Sequence, residues 1–182
     1  MGEEIQYSHF KQSDYSQFSS QLKEETALLK SWFDNNLFYS MPLTAGYELE
    51  GWMINQNVNP SAINVAFLDK ANNSLLSPEL AKFNVELNVD PTLLSGTVLS
   101  SFESELNKLW SQCATTAHSL NSNILGIGIL PTLEDSDLTL KNISQLDRYK
   151  ALNEQGLRQR KGIEIELNIN GEEHLQVSHN DV

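Results

Sequence analysis

Cysteine is almost absent from this chain, since Cys113 is the only one among its 182 residues. No internal disulfide can form, which excludes a small fold held together by disulfides. Cys113 lies in an apolar helical stripe, and no sequence feature places a base beside it. A buried core thiol is therefore favoured over a catalytic nucleophile.

Long apolar runs and basic residues are also scarce. No segment approaches the ~18 apolar residues of a membrane span, and the N-terminus lacks the positive start and apolar core of a signal peptide. These absences predict a cytoplasmic protein. Twelve Lys and Arg residues stand against 24 Asp and Glu residues, and the formal charge of −12 argues against nucleic-acid or anionic-membrane partners. A metal-bound nucleotide remains compatible, because the metal ion neutralises the phosphates locally.

Several common site motifs are missing as well. The four histidines, His9, His118, His174 and His179, are scattered, and no Cys/His spacing indicates zinc. The chain has neither a G-x-x-x-x-G-K-[ST] loop nor a G-x-G-x-x-G turn. The common phosphate-binding loops are therefore excluded, whereas nucleotide binding on a sheet is not.

Paired carboxylates are the most informative feature that is present. The segment Gly46-Tyr47-Glu48-Leu49-Glu50-Gly51 is typical of a strand, and its period of two places Glu48 and Glu50 on one face. Adjacent carboxylates on a strand can hold a hard divalent cation such as Mg²⁺. The alternative is a half-exposed strand with a solvated acidic face.

A second acidic segment runs from Glu79 to Pro91 and also alternates. Phe83, Val85, Leu87 and Val89 alternate with Asn84, Glu86 and Asn88. The two predicted strands could share one polar concavity. In a continuous strand Glu79 and Glu86 would lie on opposite faces, so both can face one site only if Glu79 lies in the entering turn or before a bulge.

Together the two segments resemble the glutamate–cysteine ligase family, in its bacterial carboxylate–amine ligase branch. In that branch a G-x-E-x-E strand is followed by an E-L-x-x-x-N-x-E strand that ends near D-P. The segment Gly126 to Pro131 is similar to the family's strand leading into the active-site loop, although Ile129-Leu130-Pro131 departs from its small-residue–His–Pro sequence. Arg148-Tyr149 is similar to its R-Y element.

The resemblance extends from about Thr44 to Val182, and members of this family are about twice as long. We therefore expect residues 1–182 to be a single domain that forms the N-terminal portion of a longer ligase catalytic domain, with an N-terminal helix in 1–40 and a ligase-like core in 44–182. The expected fold is α+β, with a largely antiparallel sheet and helices on one face. The resemblance implies that this sheet is part of a glutamine-synthetase-like catalytic fold.

The function implied by the resemblance is ATP-dependent ligation. A carboxylate, expected to be glutamate, is phosphorylated by ATP, and an amine such as cysteine or another amino acid displaces the phosphate. The implied cofactors are Mg²⁺ and ATP, the latter as co-substrate, and the chain alone is expected to be an inactive fragment. The alternative is a non-catalytic acidic domain that binds a small amine-bearing ligand or a protein partner.

The resemblance also assigns roles to individual residues. The expected metal ligands are Glu48, Glu50, Glu79 and Glu86, and the expected cofactor contacts are Asn84 and Asn88. Arg148, with Tyr149 beside it, is expected to act catalytically by binding a substrate carboxylate or phosphate. The alternative for this pair is a surface salt bridge from Arg148 to Asp147 or Glu154 and a Tyr149 packed in the core.

Periodicity and turn signals predict the remaining elements. Helices are expected over Ser13–Asn35 with Ser13 or Asp14 as N-cap, from Pro60 to about Asn72, over Gly96–Leu120, and from Ile143 to about Glu154 with an end near Gly156. A strand is expected over Ile124–Leu130, and a hairpin over Ile163–Val177 with its turn at Asn170-Gly171 and with Glu164 and Glu166 on the wet face. The first helix should pack its apolar stripe on the domain, and the open sheet edge should favour a homo-oligomer.

Overall fold

The computed structural model describes residues 4–6, 8–38, 41–161 and 165–179. In chain order the elements are α1 (Gln12–Asp34), β1 (Thr44–Ile54), α2 (Asn64–Ala71), β2 (Leu76–Pro78), β3 (Asn84–Leu93), α3 (Val98–His118), β4 (Asn123–Leu125), a 3₁₀ turn (Leu140–Asn142), α4 (Asp147–Gln159), β5 (Ile165–Asn170) and β6 (His174–His179). The fold class is α+β, as the sequence predicts. Within the described residues, no helix is both long and apolar enough to cross a membrane.

The chain divides into two compact units. One consists of Met1–Met41 and Gln145–Val182, and the other is Pro42–Ser144. The four candidate metal-binding glutamates belong to the second unit, whereas Arg148 and Tyr149 belong to the first. Each unit is therefore described by itself.

The Pro42–Ser144 unit is built on a four-stranded sheet in the order β2-β3-β1-β4, with every neighbouring pair antiparallel. One face of this sheet packs against α2 and α3. The buried side chains of that core are Met53, Phe67, Ala71, Leu76, Val85, Leu87, Leu109, Cys113 and Ala117. Because side chains alternate along a strand, the opposite face carries the polar residues of β1 and β3.

Three predicted boundaries in this unit are wrong. The second acidic strand begins at Asn84 rather than Glu79, because β2 ends at Pro78 and residues 79–83 form the turn into β3. Helix α2 begins at Asn64, since Pro60 is held in a bridge to Ile54. The predicted strand 124–130 ends at Leu125, because the chain then leaves the sheet and Ile129 is exposed.

The other unit contains α1, α4 and the hairpin formed by β5 and β6. Helix α1 begins one residue before the predicted range, with Lys11 as its N-cap, and Asp14 accepts a hydrogen bond from the Lys11 backbone N–H at 2.7 Å. Helix α4 begins at Asp147 and continues through Gly156 to Gln159, so both predicted ends are wrong. Its start is late because residues 143 and 144 are held extended by bonds to residues 79–81.

The predicted hairpin is present, although its turn differs. Asn170 pairs with His174, so the turn contains the three residues Gly171 to Glu173 rather than two. Glu166 is exposed, in agreement with its expected place on a wet face. The expected positions of Ile163 and Glu164 lie outside the described residues.

The apolar stripe of α1 is covered at its beginning, where Tyr15 is half-buried and donates a hydrogen bond to Gln155 Oε1. The helix has no buried residue, and six further apolar side chains of α1 are 43–64% exposed: Phe18, Leu22, Leu28, Leu29, Trp32 and Phe33. Periodicity shows that a helix has an apolar face, but it does not show what covers that face.

Candidate functional site

The register of β1 and β3 brings the two acidic motifs together. Glu50 lies directly opposite Glu86, and Glu48 lies directly opposite Asn88. Directly opposed residues of an antiparallel pair project from the same face, with Cβ atoms about 4.5–5.5 Å apart. Glu48, Glu50 and Glu86 therefore share the polar face of the sheet.

Glu79 reaches this face from the turn between β2 and β3. Its carboxyl group lies close enough to those of Glu50 and Glu86 for their charges to interact. Glu79 thus lies in the turn before β3, as it must if Glu79 and Glu86 are to face one site. Glu50, Glu79 and Glu86 together are called the acidic cluster below.

The electrostatics of the acidic cluster favour a proton on Glu79. Burial raises the pKa of this carboxyl above its usual range, and the nearby charges of Glu50 and Glu86 raise it further. The hydrogen bond from the Leu80 backbone N–H acts in the opposite direction. A positive charge bound beside these three residues would therefore stabilise them, because it would reduce the repulsion among their carboxylates.

A strap formed by residues 141–144 fixes the turn that carries Glu79. The Ser144 hydroxyl donates to the Glu79 carbonyl, and the Ser144 backbone N–H donates to the Leu80 carbonyl at 2.8 Å. Asn64 in turn donates its Nδ2–H to Ser144 Oγ at 2.8 Å. Asn64 and Ser144 are 1% and 3% exposed, so this network is internal. Neither residue belongs to a recognisable motif, and sequence reasoning missed both.

Ser77 on the neighbouring strand β2 and Asn88 two residues further along β3 orient Glu86. Ser77 Oγ donates to Glu86 Oε1 at 3.0 Å, and Asn88 Nδ2 donates to Ser77 Oγ at 3.1 Å and to the Leu75 carbonyl at 3.4 Å. The Asn88 amide donor is thus committed to protein acceptors. Asn84, the other predicted cofactor contact, is only 7% exposed. Sequence reasoning missed Ser77, because a three-residue strand gives no periodic signal.

A groove of about 750 Å³ runs along β1 beside the acidic cluster. Glu48 and Glu50 form one side, Leu106 and Trp110 of α3 form another, and the chain after β4 closes it at Gly126 and Gly128. A Cβ atom at Gly126 would lie 3.3 Å from the Trp110 ring, so glycine allows this close approach. The volume lies within the range of ligand-binding clefts.

Arg148 and Tyr149 lie in the first turn of α4, in the other unit. Arg148 Nε is 3.7 Å from Glu4 Oε2, and Arg148 Nη2 donates to the Tyr149 hydroxyl at 3.2 Å. The Arg148 guanidinium carbon lies 4.8 Å from the centroid of the Tyr149 ring. Arg148 therefore binds a carboxylate, and that carboxylate belongs to its own chain.

The alternative partners expected for Arg148 are wrong. Asp147 forms its ion pair with Lys150 at 3.1 Å, and Glu154 Oε2 lies 3.0 Å from His9 Nδ1. Tyr149 is half-buried rather than packed in a core. These contacts explain the position of the R-Y pair without a ligand.

The donor set of the acidic cluster suits a hard cation, since it offers only carboxylate oxygens. Across the residues that the structure describes, however, no group of three or more His, Cys, Asp or Glu side chains is already arranged to hold a metal ion. Burial and the charges of Glu50 and Glu86 raise the pKa of Glu79. A cation bound beside these carboxyls would favour the ionised form of Glu79.

Comparison of the chain with protein-family models, with curated proteins and with solved structures gives no match. The function is therefore inferred from the side chains of this protein.

Proposed function

We propose that the polar face of this sheet is the cation-binding part of an ATP-dependent carboxylate–amine ligase of the glutamate–cysteine ligase kind. The observation that carries this proposal is the direct opposition of Glu50 and Glu86. These glutamates come from the two motifs on which the resemblance rests, and the motifs are adjacent strands in register. The finer proposal for the fold is a glutamine-synthetase-like sheet, and the expected compartment is the cytoplasm.

In this proposal Glu50, Glu79 and Glu86 would hold Mg²⁺, and Glu48 extends the acidic face along β1. A bound Mg²⁺ would supply positive charge that stabilises phosphoryl transfer from ATP. Ser77 orients the Glu86 carboxylate, and Ser144 fixes the backbone at Glu79. Arg148 would bind a substrate carboxylate in exchange for Glu4, because a guanidinium group matches the planar geometry of a carboxylate.

A test of the cation site uses Mn²⁺ as a paramagnetic probe for Mg²⁺ in an amide NMR titration of the 182-residue chain. We expect Mn²⁺ to broaden the amide signals of residues 48–50, 77, 79–80 and 86–88 first, and Mg²⁺ to reverse this broadening by competing for the site. The variant Glu86→Gln should abolish this selective broadening. The matched control is Glu103→Gln, at an exposed position on α3, which should behave as the parent does. Uniform broadening, or unchanged broadening in Glu86→Gln, would overturn the site.

A second assay tests the reaction. Phosphate release from ATP is measured with glutamate and a panel of amino acids that includes cysteine, using the longest form of the protein that can be expressed. Release that depends on both a carboxylate and an amine supports the ligase. Selective Mn²⁺ broadening without such release would retain the cation site and reject the reaction.

A second candidate function is non-catalytic binding of a small amine. Two observations favour it: the mutual repulsion of the neighbouring carboxyls of Glu79 and Glu86, and the groove in which Trp110 lies across from Glu48 and Glu50. An ammonium group can pair with carboxylates and also contact an aromatic face. Saturable binding of butylamine in the absence of ATP and Mg²⁺, lost in Glu48→Gln, would support this function over the ligase.

A further inference from the structure

One edge of β1 is open next to the groove. The Met53 backbone N–H donates to the Phe83 carbonyl at 2.7 Å, on the β3 side of the strand. Backbone groups of alternate residues point to opposite edges, so those of Glu48 and Glu50 point away from β3. On that side β4 pairs only with residues 52–54. In the described part of the chain, the N–H and C=O groups of Glu48 and Glu50 thus have no strand partner.

The groove provides space beside this open edge. The chain after β4 separates from β1 at Gly126, so that the edge at Glu48 and Glu50 is exposed to the groove rather than covered. An unpaired edge with free backbone donors and acceptors is a template for one further strand. The groove therefore combines a backbone pairing site with walls that can select side chains.

The two walls of the groove differ in chemistry. Leu106 and Trp110 of α3 lie on the apolar side of the sheet, which is the side to which Leu49 points. Glu48 and Glu50 project on the other side, and among the described residues they are the charged ones that line the groove. A strand added at this edge would direct successive side chains to these two sides in turn. Alternating apolar and basic residues would match both sides.

We propose that β1 binds an extended segment of a partner protein by strand addition, and that this segment alternates apolar and basic residues. The apolar side chains contact Leu106 and Trp110, the basic side chains pair with Glu48 and Glu50, and the backbone pairs with the open edge. Strand addition of this kind derives its affinity from main-chain hydrogen bonds and its specificity from pockets for alternate side chains. The proposal goes beyond the ligase, since it needs neither ATP nor a metal ion.

The test uses capped synthetic peptides that alternate lysine with valine or glutamate with valine. Binding is measured by calorimetry and by amide NMR shifts without Mg²⁺ or ATP. We expect the lysine peptide to shift the amide signals of Glu48 and Glu50 and to bind at least about tenfold more tightly than the glutamate peptide. N-methylation of the alternate residues that face β1 should abolish binding, whereas N-methylation of the other set should not.

A charge-swap variant makes the test specific. The double variant Glu48→Lys with Glu50→Lys should no longer bind the lysine peptide and should bind the glutamate peptide instead. The control Glu103→Lys should still prefer the lysine peptide, as the parent does. Equal binding of both peptides, or indifference to N-methylation on either edge, would overturn the proposal. Amide NMR shifts confined to residues on another surface would also overturn the proposal.

Discussion

The Glu79 carboxyl lies close enough to the Glu86 carboxyl for their charges to interact, although a continuous strand would place these residues on opposite faces of the sheet. The turn that ends β2 at Pro78 and starts β3 at Asn84 makes this approach possible. A partly buried carboxyl beside a second one retains its proton more readily than an isolated carboxyl does, because the two negative charges repel each other. The pH dependence of stability should reveal this pair.

We expect Glu79→Gln to stabilise the protein near pH 7, because the raised pKa of Glu79 means that ionisation costs more in the folded state than in the unfolded state. The amide carries no charge, and its oxygen can still accept the hydrogen bond from the Leu80 backbone N–H. Folding stability of the parent should fall as the pH rises from the ordinary carboxyl value of 4.5 through the raised value. The gain from the substitution should therefore vanish below pH 4.5.

Thermal melts of the parent and Glu79→Gln across this pH range provide the measurement. Partial exposure of Glu79 should keep the gain below about 1 kcal/mol, because solvent screens the charges. Glu103→Gln, at an exposed position, is the control and should show no such pH dependence. A Glu79→Gln protein that is less stable than the parent at neutral pH would contradict the assignment.

A second prediction concerns Ser144→Ala. The substitution removes the hydroxyl that donates to the Glu79 carbonyl, and it leaves the buried Asn64 Nδ2–H without its acceptor. An unsatisfied buried donor costs about 1–3 kcal/mol, so urea unfolding should show a loss of this size. The exposed Ser136→Ala is the matched control and should change little. Equal midpoints for the two variants would show that the strap does not hold the turn.

The sequence predicts which carboxylates share the polar face of the sheet, but it does not predict the contacts of β2 and Ser144 that hold Glu79 beside them. Alternation along residues 46–50 and 83–89 is strong, and it places Glu48, Glu50 and Glu86 correctly on one side. The contact of Glu79 with Glu86 depends on β2, whose three residues are too few for a periodic pattern to be recognised. Ser144 lies far along the chain from Glu79, and no local pattern indicates a contact of that range.

Contacts that a local sequence pattern does not reveal also explain the wrong element boundaries at Pro60 and after Leu125. Pro60 is a good first residue of a helix, but tertiary pairing with Ile54 keeps it extended. The apolar run from Ile124 is typical of a strand, yet Gly126 leaves the sheet beside Trp110. Local propensity yields to tertiary contacts at each of these positions.

Cys113 should be chemically inert in the folded protein. Its side chain is fully buried, and this burial raises the pKa of the thiol to about 11. Very little thiolate then exists near pH 8, and reagents cannot reach the sulfur. Labelling with a thiol-reactive dye should be slow without denaturant and fast in urea, with a midpoint that matches unfolding by circular dichroism. Rapid labelling of the folded protein would contradict the burial of Cys113.

Val58→Asn should stabilise the protein. Val58 has a φ of 64°, a left-handed conformation that disfavours branched side chains and that asparagine tolerates better. Since Val58 is 46% exposed, little packing is lost, and we expect a gain of about 0.5–1 kcal/mol in urea unfolding. Val65→Asn, at an exposed position inside α2, should be neutral or destabilising. A destabilised Val58→Asn would show that valine is not strained there.

The β5–β6 hairpin should support self-association. Leu167 and Ile169 lie opposite Val177 and Leu175, and all four side chains are about half exposed on one face. Two-stranded hairpins are marginal alone, and an apolar face gains from being covered by a second copy. We expect sedimentation velocity to show a dimer that persists at high salt, because salt screens the repulsion between copies of charge −12.

The double variant Leu167→Thr with Leu175→Thr should weaken this dimer. Asn168→Thr, which alters the opposite face of the same hairpin, is the control. A monomer at both low and high salt would count against a homo-oligomer.

The strap formed by residues 141–144 is made after the Glu79 turn that it anchors. Strands β1, β2 and β3 are complete once the ribosome has passed Leu93, but the Glu79 turn is anchored by residues 141–144, which are made considerably later. Until then Glu79 can move relative to Glu50 and Glu86, because contacts that are distant in sequence form late. The residues of β1, β2 and β3 are therefore made before those that anchor the Glu79 turn, and we expect the acidic cluster to be completed only when the last residues of the Pro42–Ser144 unit emerge.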